Sequence, residues 1–164
     1  MDVSFIEIKN DEDLQELSIL ASEIWHEYFP GIISDLQVDY MVEKYQSYDA
    51  IRRQITEGYE YYFVKEYGFV LGYIGIHCEP EKLFLSKLYL KREYRGKGLF
   101  HAMLSFCENV ARSRGLHAMY LTVNRENKPT IAVYLKKGFH IVSDKKADIG
   151  NGFFMDDHIM EKSL

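Results

Sequence analysis

The seven residues Arg92–Gly98, "REYRGKG", hold two arginines, one lysine and two glycines, and the apolar-rich "LFHAM" follows directly. A basic, glycine-punctuated turn running into a helical pattern can grip an anion. The first N–H groups of a helix lack partners within it, and the aligned peptide dipoles add partial positive charge there. Glycines let a ligand approach the backbone, and Arg95 and Lys97 add full charges. Together these parts suit a phosphate or pyrophosphate. The pattern GxxxxGK[ST] is absent, which excludes an ordinary P-loop triphosphatase. A dinucleotide fingerprint fails too, because Gly96 and Gly98 are followed by His101 where GxGxxG needs glycine. For such a turn alone, a solvated basic loop is the commoner reading, since short glycine motifs have many chance matches.

The surrounding elements decide what the turn can do. "LSKLYLK" reads as a strand entering it, and a helix begins near Gly98. That helix carries Leu99, Met103, Phe106 or Cys107, and Val110 on one stripe and ends at Gly115. Upstream, "VSFIEIK" alternates as a strand, and Leu14, Leu17, Leu20, Ile24 and Tyr28 recur at helical spacing until Pro30–Gly31. "SDLQVDYMVEKYQS" and "YDAIRRQITEG" predict two further helices divided near Ser47. From Tyr59 the chain turns β-branched and aromatic, and breaks near Tyr67–Gly68 and Glu79–Glu81 divide it into three strands. "HAMYLTVN" is a strand, "NKPTIAVYLKKG" a short helix closed by Gly138, and "FHIVSDK" and "GFFMDDHIMEK" two last strands. The order predicts an α/β (α+β) fold in which a mixed sheet is flanked by helices, one domain over residues 1–164.

Composition narrows the function classes. The 164 residues carry a net charge of −5, which argues against a nucleic-acid surface as the main business. No apolar run approaches the roughly 20 residues of a membrane span, and the N-terminus has no basic start like that of a secretory leader. Cys78 and Cys107 make neither a CxxC motif nor a disulfide framework, so reduced thiols and a cytoplasmic setting are expected. The histidines show no metal-ligand spacing, so no metal is expected. Thirteen tyrosines imply a Tyr-rich core, pocket or interface, and a homodimer is one use for the last.

Residues 83–139 sharpen the reading. Arg95, Gly98 and Phe100 fall on Arg/Gln-x-x-Gly-x-Gly/Ala, followed a helix and a strand later by "NKPTIAVYLKKGF". This pair of motifs resembles the GCN5-related N-acetyltransferase (GNAT) superfamily, with the acetyl-CoA-binding core at about 83–139. Phe100 departs from the pattern, standing where the family has Gly or Ala. It is expected to pack outward against a neighbouring strand.

The resemblance implies a mostly antiparallel sheet whose strand Leu88, Tyr89 and Leu90 splays from its neighbour and holds the pantetheine arm. The loop Arg95, Gly96, Lys97, Gly98, Leu99 and Phe100 would hold the pyrophosphate, chiefly through main-chain N–H groups. Asn127 would contact the pantetheine or seat the second helix, and Tyr134 would lie near the thioester sulfur. The implied reaction is direct attack of a small-molecule primary amine on acetyl-CoA. A phenol of pKa about 10 can protonate a thiolate whose thiol pKa is about 8.5. For the base, Glu27 and His77 are the candidates. In the variable acceptor-binding region, Glu23, Glu27, Asp35, Asp39 and Glu43 interleave with Trp25, Tyr28, Phe29 and Tyr40. That arrangement is similar to the bacterial polyamine acetyltransferase branch, although a solvated acidic helix face would look the same. The other readings are acetylation of a peptide N-terminus, acetylation of an antibiotic, and a non-catalytic acyl-CoA sensor.

Overall fold

The computed structural model describes residues 2–164. Strand β1 (Val3–Glu7) leads into α1 (Asp11–Tyr28), whose N-terminus is fixed by Asn10 Oδ1 accepting from the Asp13 N–H at 2.8 Å. Acids at Asp11, Glu12 and Asp13 suit the helix dipole, and the stripe Leu14, Leu17, Leu20, Ala21, Ile24 and Trp25 is buried. Helix α2 (Asp35–Met41), capped by Ser34, widens into a π-helical turn at Val42–Gln46. The residue pattern predicts one continuous helix here, because apolar spacing does not register so short a change of pitch. Ser47 then caps α3 (Tyr48–Thr56).

The remaining elements are β2 (Tyr59–Glu66), β3 (Phe69–Cys78), β4 (Lys82–Leu90), α4 (Leu99–Ser113), β5 (Ala118–Asn124), α5 (Lys128–Lys136), β6 (His140–Gly150) and β7 (Phe153–Ser163). Tyr67 and Gly68, both at positive φ, form the tight turn between β2 and β3. The seven strands lie in the order β1-β2-β3-β4-β5-β7-β6, antiparallel except between β4 and β5.

That parallel junction creates the site. Only Lys82, Leu83 and Phe84 pair with Ala118, Met119 and Tyr120; beyond them the two strands diverge. On its other edge β4 stays paired to β3, but Gly75 faces Lys87 while Ile76 faces Leu85, so Ser86 is an unpaired bulge residue. The bulge lets Lys87 and Tyr89 face one side of the sheet while Leu83, Leu85, Leu88 and Leu90 pack on the other.

The two faces have separate cores. One joins Leu99, Met103, Leu104 and Cys107 of α4 and Tyr134 of α5 to Tyr62, Val64, Leu83 and Leu85. The opposite core joins Leu17, Ala21 and Ile24 of α1 and Ile51 of α3 to Tyr61, Phe63 and Tyr73. Each fully buried aliphatic or Phe side chain contributes about 1.5–3 kcal/mol. A third cluster packs α2 on the tip of β6–β7, where Tyr40 Oη and Lys44 Nζ donate to the Ile149 carbonyl.

Candidate active site

A cavity of about 730 Å³ occupies the gap where β4 leaves β5. At one end lies the basic glycine turn. Gly96 (φ 74°) and Gly98 (φ 83°) are left-handed, a conformation that disfavours a side chain, and a Cβ at either would meet nothing within 4 Å. Gly98 begins α4 without a side-chain cap, and the first turn of the helix carries no acid. Its free N–H groups therefore remain available to an anion, and the space in front of the glycines admits one. Residues 95, 96, 98 and 100 line the cavity; Lys97 is exposed, and Leu99 is buried in the core beneath.

Arg95 does not project freely toward a ligand. Its Nε donates to the Leu90 carbonyl at 3.0 Å, a terminal nitrogen lies 2.7 Å from Glu27, and the guanidinium sits over the Tyr28 ring at 4.9 Å. The residue thus ties the turn to the end of β4 and the end of α1. Leu88, Tyr89 and Leu90 line the cavity, paired to β3 on one edge and without β5 partners on the other. Such free main-chain groups suit an extended amide-bearing arm.

Tyr134 is 6% exposed and reaches the cavity wall with no hydrogen-bond partner for its hydroxyl among the described residues. Burial, and then the nearby Tyr89, raises its pKa well above that of an ordinary phenol, so the hydroxyl stays protonated. Phe139 holds the ring edge-on at 5.2 Å and Phe100 at 5.3 Å. Here the expectation for Phe100 is corrected: it packs on Tyr134 of α5 and borders the cavity, rather than turning outward onto a strand. One position past the core residue Leu99, it is rotated about 100° toward α5. Asn127 occupies the N-cap of α5 but makes no side-chain cap. Its Oδ1 instead accepts from Tyr28 Oη at 3.0 Å, and Tyr28 also meets Thr130 Oγ1 at 2.8 Å, which joins α1 to α5 across the cavity.

The structure does not bring the two expected bases into the chamber. Glu27 is exposed and paired with Arg95; His77 stacks on Tyr59 at 4.6 Å with Nδ1 3.6 Å from Glu79, and neither lines the cavity. The acidic embrace expected from Glu23, Glu27, Asp35, Asp39 and Glu43 is also absent. All five are exposed and off the wall, with Asp39 paired to His26 at 2.7 Å. On α1 the cause is rotational: the stripe that buries Ile24 and Trp25 turns Glu23 and Glu27 outward. Their aromatic neighbours Trp25, Tyr28 and Phe29 do line the wall.

Two polar residues missed in the sequence stand on that wall. Asp157 of β7 is 6% exposed and lines the cavity; its carboxylate makes no salt bridge among the described residues, with Lys145 and His158 acting on it only at longer range. Burial, with Asp156 beside it, pushes its pKa up to about 6. Lys87 is 6% exposed, and burial brings its amino group down to about 7. The one signal for Lys87 was a lysine between apolar residues in "FLSKLYL"; the bulge that aims it was not readable. Among the described residues no group of three His, Cys, Asp or Glu is placed to hold a metal, and no helix is long and apolar enough to cross a membrane.

Comparison with known proteins gives the arrangement its context. A sequence model described as "Acetyltransferase (GNAT) family" matches residues 21–139. A spermidine N(1)-acetyltransferase of Thermoplasma acidophilum is 25% identical over 142 residues, 84% of this chain and 88% of that one. The crystal structure of a PaiA N-acetyltransferase from Thermoplasma acidophilum in complex with coenzyme A superposes over the full length of both chains, with a TM-score of 0.80 and 25% identity. A GCN5-related N-acetyltransferase structure from Rhodopseudomonas palustris, 15% identical, shares the fold at a TM-score of 0.83 over 100% of this chain and 97% of the other. The chain belongs to the acetyltransferase (GNAT) family, as an N-acetyltransferase that draws its acyl group from acetyl-CoA.

Proposed function

We propose that the acceptor is a small polyamine, a primary amine joined by an alkyl chain to at least one further cationic centre. The observation that carries this reading is Asp157, a buried carboxylate in a chamber whose wall also presents the aromatic residues Trp25, Tyr28, Phe29 and Tyr89. A buried carboxylate without a salt bridge favours a cation. Aromatic faces favour both an alkyl chain and an ammonium group. The relative named for spermidine supports the same class.

In this reading the turn residues 95–100 and the start of α4 hold the pyrophosphate, and the free edge of Leu88–Leu90 holds the pantetheine amides. A main-chain N–H of that edge stabilises the oxyanion that forms when the amine attacks. Tyr134, kept protonated by burial, gives its hydroxyl proton to the departing sulfur. Phe100 and Phe139 fix the ring, and the Tyr28–Asn127–Thr130 linkage fixes the helix that carries it. Asp157 holds the distal ammonium.

The test is thiol release from acetyl-CoA across an amine panel at one pH. Spermidine, spermine and putrescine should have kcat/KM at least tenfold above amino acids, a peptide N-terminus and an aminoglycoside. Turnover confined to one of the latter group would overturn the polyamine reading. Binding of CoA with no turnover of any amine would make the chain an acyl-CoA sensor.

A further inference from the structure

We propose that Lys87 is the proton acceptor for the acceptor's ammonium group; the inference rests on amine acetylation in this cavity. An alkylamine has pKa about 10.4, so presenting it neutral at pH 7 costs about 4–5 kcal/mol, and some group must take its proton. Neither Glu27 nor His77 reaches the chamber, whereas Lys87 does.

Lys87 Nζ has two acceptors within the protein. It donates to Gln54 Oε1 at 2.8 Å and to Tyr61 Oη, and Tyr61 in turn donates to Gln54. Two of three positions on the nitrogen are thus taken by protein. The third is a lone pair when the group is neutral, and Lys87 lines the cavity. A neutral amine with both N–H groups satisfied and a lone pair to spare is a base.

Burial favours its neutral form. The Tyr61 and Tyr59 rings of β2 lie 5.0 and 5.7 Å from Nζ, with His77 of β3 stacked on Tyr59. From α3 come Gln54 and, on the cavity wall, Arg53, with Glu57 just beyond the helix; from β4 comes Tyr89. None of these carboxylates or phenols forms an ion pair with Lys87, and desolvation alone governs its titration. The stem depends on Gly75: a Cβ there would lie 2.8 Å from the Tyr61 ring and 3.2 Å from Lys87 Cδ.

Position completes the case. Lys87 immediately precedes Leu88–Leu90 and faces the α1–α3 side of the sheet, whereas Tyr134 belongs to the α4–α5 side. Base and acid therefore reach the gap from opposite faces, one toward the incoming nitrogen and one toward the leaving sulfur. Asp157 titrates lower, near 6, and is the weaker acceptor for an alkylammonium proton.

Lys87 takes one proton from R–NH3⁺. The freed amine forms its N–C bond as the C–S bond breaks, and Tyr134 protonates the thiolate. The N-protonated product returns a proton to the Tyr134 phenolate, and Lys87 releases its own to solvent. The sum is one acetylamide, one thiol and one proton.

The test is the pH profile of kcat/KM for spermidine between pH 6 and 10.5, in wild type, Lys87→Met, Lys87→Arg and Asp157→Asn. Wild type should lose activity below pH about 7 and hold a plateau above it. Lys87→Met should fall about 10²–10³-fold at pH 7 and climb with unit slope toward the amine's own pKa. Lys87→Arg should stay low throughout, while calorimetry shows CoA binding within threefold of wild type for both. Asp157→Asn should raise KM but leave the acid limb in place. A wild-type profile that rises without a plateau to pH 10, a Lys87→Met profile parallel to wild type, or an acid limb removed by Asp157→Asn would each overturn the assignment. A wild type that turns over no amine would instead sink the reading on which it rests.

Discussion

Replacing Lys87 with methionine should stabilise the protein at neutral pH, and the gain should fade as the solution becomes alkaline. Methionine keeps an unbranched stem that passes Gly75 but carries no amino group. In the unfolded chain a lysine titrates near 10.4; in the fold burial brings Lys87 down to about 7. Between those values the unfolded chain binds a proton that the folded chain does not, so wild-type stability rises with pH from 7 to about 10.4. Below pH 7 the whole penalty is present. A fall from 10.5 to about 7 is worth about 5 kcal/mol at most. The variant also loses two hydrogen bonds worth about 1 kcal/mol each, although Tyr61 and Gln54 keep the bond between them. The net gain at pH 7 is therefore about 2–3 kcal/mol, or roughly 5–10 °C in Tm for a chain of this size. Urea and thermal unfolding of both proteins at pH 7, 8 and 9 would measure it, and the difference should shrink by about 2 kcal/mol across that range. A difference that does not change with pH would refute the reasoning, because it would mean Lys87 is charged in the fold.

Tyr134→Phe should lower kcat about 10²-fold or more while calorimetric CoA affinity stays within a few-fold, since only the proton donor is removed. Gly98→Ala forces a side chain into a left-handed position at the start of α4; it should cost about 1–2 kcal/mol in urea unfolding and weaken CoA binding measurably by calorimetry. Asp157→Asn removes a carboxylate whose folded pKa is raised to about 6, a penalty absent below pH 4 and complete above pH 6. The variant should gain about 1–2 kcal/mol above pH 6, gain nothing at pH 4, and show a KM for spermidine at least tenfold higher. Arg95→Lys keeps the charge but cannot serve the Leu90 carbonyl, Glu27 and the Tyr28 ring together, so CoA affinity should drop despite the conserved charge.

The elements were legible because each carries its own local signal: the alternation of "VSFIEIK", the cap at Asn10, the break at Pro30–Gly31, and the glycines closing α4 and α5. The anion-binding end was legible for the same reason, since a strand, a glycine turn and a helix start are adjacent in sequence. The acceptor end was not. Its wall combines α1, α3, β4 and β7, and which side chains face it depends on the rotation of α1 and on the bulge at Ser86. Charge counting along α1 and α2 therefore pointed to five solvated carboxylates, while the buried Asp157 and Lys87 lay unremarked inside strands. Phe100 shows the same limit: its departure from the motif was visible, but its partner on α5 was set by packing between helices far apart in the chain.

The most direct measurement is product analysis. The chain is incubated with acetyl-CoA and spermidine at pH 8, with thiol release followed by absorbance and the amine by mass spectrometry. One thiol should appear for each mono-N-acetylated spermidine, with Tyr134→Phe at least about 10²-fold slower. Thiol release without an acetylated amine, or undiminished turnover by Tyr134→Phe, would contradict it.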